Sequence, residues 1–477
     1  MLFNSFNFAL FLPIVFCFYW FVTKSIKSQN ILLLLASYFF YACWDWRFLF
    51  LLVFSTLLDY VTGIKMEESR TKKMKKLWLI LSIGINLGFL GIFKYYNFFA
   101  ASFAEALSFA GLHVNTWSLT VILPVGISFY TFHGLSYVLD VYNDKIKTER
   151  NFVDYSVFVS FFPLLVAGPI ERATHLLPQI KQKRFFDYSN AVKGLKQILW
   201  GLFKKMVIAD QCAGYVNTIF DNHASMGGST LVLGAVLFAF QIYGDFSGYS
   251  DIAIGTARLF GIDLFRNFAY PYFSRNIAEF WRRWHISLSS WFRDYLYIPL
   301  GGSKGSMWMK VRNTFIIFIV SGFWHGANWT FIVWGLLNAI FILPSILFQT
   351  NRVNLNIVAP GKLFPSVKEG LNIIITFSLT VLAWIFFRSD SLTEAIAFIA
   401  NIFDRTLFTI PSIRPVYLFM FLALFLVIEW IGREMPFAIE IFFLKKPRLV
   451  RWAFYLILII TIINYSGSEQ QFIYFQF

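Results

Sequence analysis

Apolar residues occur along this chain in long runs separated by short polar breaks. Runs long enough to cross, or nearly cross, a hydrocarbon core of about 30 Å fall near 6–23, 31–44, 47–64, 77–94, 119–141, 195–220, 230–260, 312–348, 371–388, 414–432 and 450–465. Shorter or broken runs lie near 97–111 and 152–170. The second of these carries Pro163, Gly168 and Pro169 and predicts a re-entrant segment beside a funnel or cavity. Such breaks survive in a membrane only where protein or a cavity satisfies the freed backbone groups. The pattern predicts an all-α polytopic membrane protein with about 11 transmembrane or re-entrant helices plus interfacial helices. The longest polar stretches, 171–194 and 349–370, are too short for a soluble domain, and no internal repeat is found, so residues 1–477 read as a single membrane domain.

The cations sit in clusters between the runs, and cytosolic loops collect Lys and Arg. Lys24 and Lys27 follow the first run, and Lys65, Arg70, Lys72, Lys73, Lys75 and Lys76 follow the third. Both clusters face the cytosol only if the amino terminus is outside. Lys145, Lys147 and Arg150, and then Arg172, Lys181, Lys183 and Arg184, stay cytosolic if 97–111 does not fully cross and 152–170 is re-entrant. Lys445, Lys446, Arg448 and Arg451 precede the last run, which places the carboxyl terminus outside and gives an even number of crossings.

Composition agrees. The chain is 58% hydrophobic and 14% charged, more apolar surface than a soluble domain could bury. The net charge of +15 reports topology and not nucleic-acid binding, since the cations are spread through the loops. Cys17, Cys43 and Cys212 lie in or beside apolar runs without metal or redox spacing, and no disulfide is expected. The first run has no basic segment before it and no small-residue cleavage site after it, so it reads as a retained helix.

Two segments carry candidate chemistry. In FWRRWHISLSSWFRDYLYIPLGG, at 100° per residue, Trp281, Trp284, Leu288, Trp291, Phe292 and Tyr295 share one arc of a predicted amphipathic helix. Arg282, Arg283, Ser290, Arg293 and Asp294 share the opposite arc, His285 lies at the edge of the apolar one, and Ile286 falls off the pattern. This stripe fits a headgroup-level anchor as well as it fits a site. His325 stands in the uncharged run VSGFWHGANWTFIVWG, between Gly322 and Gly326, with Asn328 close enough in sequence to hydrogen-bond its ring. An imidazole at that depth is either a hydrogen-bonded structural histidine between two helices or a general base. His113, His133, His175 and His223 fall in loops or packed positions, no pair has the spacing of a helical metal site, and no metal is expected. Serine-nucleophile and phosphate-loop signatures are absent.

The two segments together resemble the membrane-bound O-acyltransferase (MBOAT) family, most closely the bacterial branch that includes the alginate O-acetyltransferase membrane subunit. ILPVGISFYTFHGLSYVLDVY at 122–142, FFPLLVAGPIER at 161–172, LWGLFKKMVIAD at 199–210 and YGDFSGYSDIAIG at 243–255 extend the resemblance in order along the chain. Leu164 and His133 stand where glutamine is common in the family. The resemblance implies the MBOAT fold around a central funnel or tunnel, acyl transfer from a cytosolic thioester to a hydroxyl, His325 as base and His285 lining the same tunnel. Arg282, Arg283 and Arg293, with Trp284 and Asn328, are then candidate donor-binding and tunnel residues. The ending FIYFQF resembles a carboxyl-terminal motif of bacterial polymer-acylating systems whose tyrosine, here Tyr474, carries the acyl group. A phenolic ester suits that task, because a phenol of pKa about 10 leaves more readily than an alcohol.

The expected protein is thus a multi-pass O-acetyltransferase of the bacterial plasma (inner) membrane, surrounded by membrane lipids, with an extracytoplasmic aromatic tail at 470–477. It has no bound cofactor, uses acetyl-CoA or another acyl thioester as donor, and hands acetyl to an extracytoplasmic SGNH-type O-acetyltransferase partner that decorates a polysaccharide. Alternatives are a D-alanyl or lipid O-acyltransferase of the same fold, or a non-enzymatic transporter. Against the transporter stand a lack of midplane carboxylates and of inverted repeats.

Overall fold

A computed structural model describes residues 1–114, 118–119, 123–166, 168–442, 444, 446–466 and 472–473. Regular structure among the described residues is helical throughout. Contacts divide the chain into two compact units, one of residues 1–191 with 257–265 and the other of 192–256 with 266–477.

The first unit contains α1 (Phe6–Cys17), α2 (Ile26–Ala42), α3 (Arg47–Glu68), α4 (Lys72–Leu90), α5 (Tyr96–Phe109), α6 (Ile127–Tyr142), α7 (Phe152–Ser160), α8 (Phe162–Leu165) and α9 (Ala173–Lys181). α3 packs on α4 and α6, and α2 packs on α7. The apolar runs expected as separate elements at 77–94 and 97–111 form one helical stretch, Lys72–Phe109, joined through a π-helical turn at Gly91–Tyr95. No glycine or proline stop separates the two runs beyond Gly91, and a single glycine does not end a helix. α7 and α8 have 9 and 4 residues, too short at 1.5 Å per residue to cross, and Pro163 lies in the first turn of α8. That is the broken segment expected from the Pro and Gly residues of 152–170.

The second unit holds most of α10 (Tyr188–Leu202), then α11 (Asp210–Asp221), most of α12 (Gly228–Leu259), α13 (Ile277–Arg283), α14 (Ile286–Phe292), α15 (Met307–His325), α16 (Trp329–Leu347), α17 (Val367–Arg388), α18 (Leu392–Ile402), α19 (Val416–Gly432) and α20 (Arg448–Tyr465). The run expected at 312–348 is not one helix but a hairpin of α15 and α16. The chain turns because Gly326 is extended and Asn328 caps α16, its side chain accepting from Thr330 N. Gly322 and Gly335 let the two helices close. A Cβ on Gly322 would sit 2.2 Å from the Phe331 carbonyl oxygen, and one on Gly335 would sit 2.3 Å from that of Phe318. Small residues at such a crossing are what membrane helices use to approach one another.

Among the described residues six helical stretches are long and apolar enough to span a membrane: α3, the α4–α5 stretch, α12, α16, α17 and α20. α12 is the most enclosed of them, with 83% of its apolar window buried, so its polar side chains face protein.

Candidate active site

The WRRWH segment is not one continuous amphipathic helix. It breaks at His285, whose φ of 43° and ψ of 55° place it in the left-handed region between α13 and α14. Periodicity marks the break only by Ile286, which falls off the stripe, because Trp284 and Leu288 on either side keep helical spacing. A non-glycine residue held there is over-determined by its surroundings, and strain of this kind collects at functional sites. The surroundings are visible: Ile286 N donates to the Asn267 carbonyl at 2.9 Å, and Ser287 N and Oγ donate to Asn267 Oδ1 at 3.4 and 3.0 Å.

Asn267 also fixes the tautomer of His285. Its Oδ1 lies 2.9 Å from His285 Nδ1, while its Nδ2 donates to Ser250 Oγ at 3.0 Å. The Ser287 backbone N–H can only donate, so the amide atom facing it must be oxygen. His285 Nδ1 therefore carries the proton and Nε2 presents a lone pair. That Nε2 is buried and makes no hydrogen bond with a described residue; His285 as a whole is 1% exposed. Its walls are the Phe246 ring edge at 4.5 Å, Phe268 at 6.4 Å and Trp324 at 6.1 Å.

His325 is the last residue of α15 and is 4% exposed. Trp324, Trp334 and Phe387 surround its ring at centroid distances of 4.8, 5.1 and 5.3 Å, all tilted steeply toward it. The Trp324 indole touches both imidazoles, so the two histidines share one wall although forty residues separate them in sequence. Trp284, fully buried, backs this wall by packing on Phe268 and Trp384 at 5.0 and 5.1 Å.

The other candidates lie nearby with partners of their own. Arg282 donates to the carbonyls of Asn351 and Asn354 at 2.5 and 2.8 Å. Arg283 binds Glu279 at 2.8 Å and the Ala269 and Asn356 carbonyls at 3.2 Å. These two arginines pin the loop that follows α16. Arg293 is largely exposed and bonds Asp294 at 2.7 Å. Asn328 does not serve the His325 ring: its Oδ1 caps α16 and its Nδ2 donates to the Asp390 carbonyl at 2.8 Å. Tyr474 lies outside the described residues.

Sequence reasoning missed a set of buried charges beside the two histidines. A π-helical turn at Phe203–Ala209 continues α10, and from it the consecutive Lys204 and Lys205 both reach α12. Lys204 pairs with Asp251 at 2.6 Å, while Lys205 pairs with Asp245 at 2.7 Å and with Asp210 at 2.8 Å. Gly201 and Gly248 make this approach possible, since a Cβ on either would lie within 2.8 Å of the other's carbonyl oxygen. Asp245 has a second task. Its Oδ2 accepts from Ile473 N at 2.7 Å, and Phe472 packs on Tyr249 at 4.5 Å and on Phe246 at 6.0 Å. Phe472 and Ile473 are 0% and 2% exposed. Charged pairs inside apolar runs were the signal that could have found this network.

A sequence profile of the membrane-bound O-acyltransferase family, MBOAT, matches residues 119–386. The chain is 39% identical over 399 residues to the probable alginate O-acetylase AlgI of Pseudomonas aeruginosa, a match that covers 83% of this chain and 73% of that one. This chain belongs to the membrane-bound O-acyltransferase family. It is 38% identical over 427 residues to the peptidoglycan O-acetyltransferase of Helicobacter pylori, covering 83% of this chain and 78% of the relative. To the teichoic acid D-alanyltransferase of Bacillus subtilis it is 30% identical over 233 residues, covering 46% of this chain and 58% of the relative.

As an MBOAT protein the chain is a membrane-bound acyltransferase, and its two buried imidazoles, His285 and His325, stand against one aromatic wall. The expected lack of midplane carboxylates does not hold. Carboxylates do lie inside the apolar runs, Asp245 near the middle of the 32-residue α12 and Asp251 one and a half turns on. They escaped notice because the positive charges that neutralise them sit 40 or more residues away in sequence. They are held in ion pairs, so they do not form the open ion site of a transporter.

Breaking this pairing is costly. Lys205→Met leaves buried Asp245 without its cation, and such losses destabilise by about 3–5 kcal/mol. We expect a lower thermal-unfolding midpoint in detergent, partly recovered in Lys205→Met combined with Asp245→Asn. Equal midpoints for the single and the double variant would show that the pair is not the source.

Proposed function

We propose that this protein is a plasma-membrane O-acetyltransferase that takes an acetyl group from a cytosolic thioester and delivers it, through Tyr474, to extracytoplasmic polysaccharide. The observation that carries this reading is the burial of Phe472 and Ile473 against Tyr249, Phe246 and Asp245, with Phe246 in turn against His285. The residue that follows Ile473 in the chain is Tyr474. Phe472 and Ile473 are thus held by a backbone hydrogen bond and two aromatic contacts, immediately before Tyr474 in the sequence.

In the proposed step the Tyr474 phenol attacks the thioester carbonyl as His325 removes its proton. The carbon–sulfur bond breaks, a carbon–oxygen bond to the phenol forms, and the thiol leaves with a proton. His285, held with Nδ1–H toward Asn267, offers Nε2 as a hydrogen-bond acceptor to a group entering the same wall. The phenolic ester keeps enough transfer potential to pass acetyl to a hydroxyl of an SGNH-type partner outside the membrane.

An acetyl cargo is favoured over D-alanine by the relatives of higher identity. Relatives at 38–39% include an alginate O-acetylase and a peptidoglycan O-acetyltransferase, whereas the D-alanyltransferase of Bacillus subtilis stands at 30%. The donor is tested with the protein in sealed liposomes. Labelled acetyl-CoA supplied at the cytosolic face is expected to label the protein, and a D-alanyl carrier-protein thioester is not. Labelling only from the carrier-protein thioester would transfer the assignment to the D-alanyl reading.

A further inference from the structure

A cavity of about 570 Å³ lies at the far end of the α15–α16 hairpin from His325. Its polar rim carries Lys310 from the first turn of α15, Arg352 from the loop after α16, and Tyr297. Its floor includes Ile317 of α15 and Ile342 and Ile346 of α16, a helix apolar enough to span the membrane. No aspartate or glutamate lines it among the described residues.

Three features point to one class of ligand. Lys310 sits at the positive end of the α15 dipole, and the first turn of that helix holds no acidic residue to offset it. An anion in the cavity would relieve both at once. Arg352 is held in place, since Arg282 grips the carbonyls of Asn351 and Asn354 on either side of it. The cationic rim then passes directly into an aliphatic floor on membrane helices, the order of a phospholipid from headgroup to acyl chain. Lys304, just before α15, and Lys310 and Arg312 in its first turns also form a basic cluster of the kind that faces the cytosolic leaflet, where anionic lipids concentrate.

We infer that this cavity binds an anionic phospholipid, its phosphate between Lys310 and Arg352 and an acyl chain along Ile317, Ile342 and Ile346. The site is separate from the acyl-transfer site, and its occupancy does not depend on the function proposed above.

The test is native mass spectrometry of the full chain in detergent, titrated with phosphatidylglycerol, with phosphatidylcholine of the same acyl chains, and with coenzyme A as a phosphate source without an acyl chain. Wild type is expected to retain phosphatidylglycerol in preference to phosphatidylcholine. Lys310→Gln with Arg352→Gln should bind it about 30-fold more weakly, and Lys310→Arg with Arg352→Lys should bind as wild type does. Equal retention of the two lipids, unchanged binding in the double glutamine variant, or displacement of the lipid by coenzyme A would each overturn the assignment. Both double variants replace side chains at the rim, and a monodisperse elution profile identical to wild type separates loss of the site from loss of the fold.

Discussion

Replacing His325 by alanine is expected to lower acetyl transfer by about 10²- to 10⁴-fold, the range that a positioned general base contributes. The expectation rests on where the imidazole sits. Trp324, Trp334 and Phe387 enclose it, so no bulk water stands ready to take the proton in its place. Alanine also opens a cavity in that cage, and some stability is lost with it. His325→Gln separates the two effects, because it keeps most of the volume and hydrogen-bonding capacity yet cannot act as a base at neutral pH. Both variants should lose transfer while the glutamine variant unfolds close to wild type. Polymer acetylation within a few-fold of wild type in His325→Gln would remove His325 from the chemistry.

Tyr474→Phe is expected to abolish delivery of acetyl to the polymer while leaving the protein folded. It deletes one oxygen, and the residues that anchor the tail, Phe472 and Ile473, are untouched. Polymer acetylation, measured as ester content per sugar in cells, should fall to the level of a deletion strain. Wild-type ester content in Tyr474→Phe would end the relay, and His325 could still act on a different hydroxyl.

The spans were largely legible in the sequence because lipid and buried helices demand long apolar runs, and α3, α12, α17 and α20 fall within or over the runs expected for them. What the runs could not show is where a helix stops inside one. The α15–α16 turn was written in Gly326 and Asn328, but in an apolar context Asn328 reads equally well as a partner for His325, and its capping role appears only once α16 is seen to begin at Trp329. The break at His285 showed only as Ile286 falling off the stripe, since Trp284 and Leu288 keep helical spacing across it. Asn267, which fixes the His285 tautomer, belongs to a loop without periodicity, and nothing local connects it to a residue 18 positions away. Lys204, Lys205, Asp245 and Asp251 were in plain view as charges within apolar runs. Their pairing is not legible, because each lysine meets its aspartate across 40 or more residues of sequence.

The central claim is that acetyl passes over the two-histidine wall to the carboxyl-terminal tyrosine. It is tested most directly by mass spectrometry of the carboxyl-terminal peptide from wild type and from His325→Gln, both purified from cells that lack the downstream transferase. An acetyl adduct on Tyr474 in wild type, absent from His325→Gln, is the predicted result. An unmodified Tyr474 in wild type, with acetyl donor plentiful and no partner to remove the group, would contradict it.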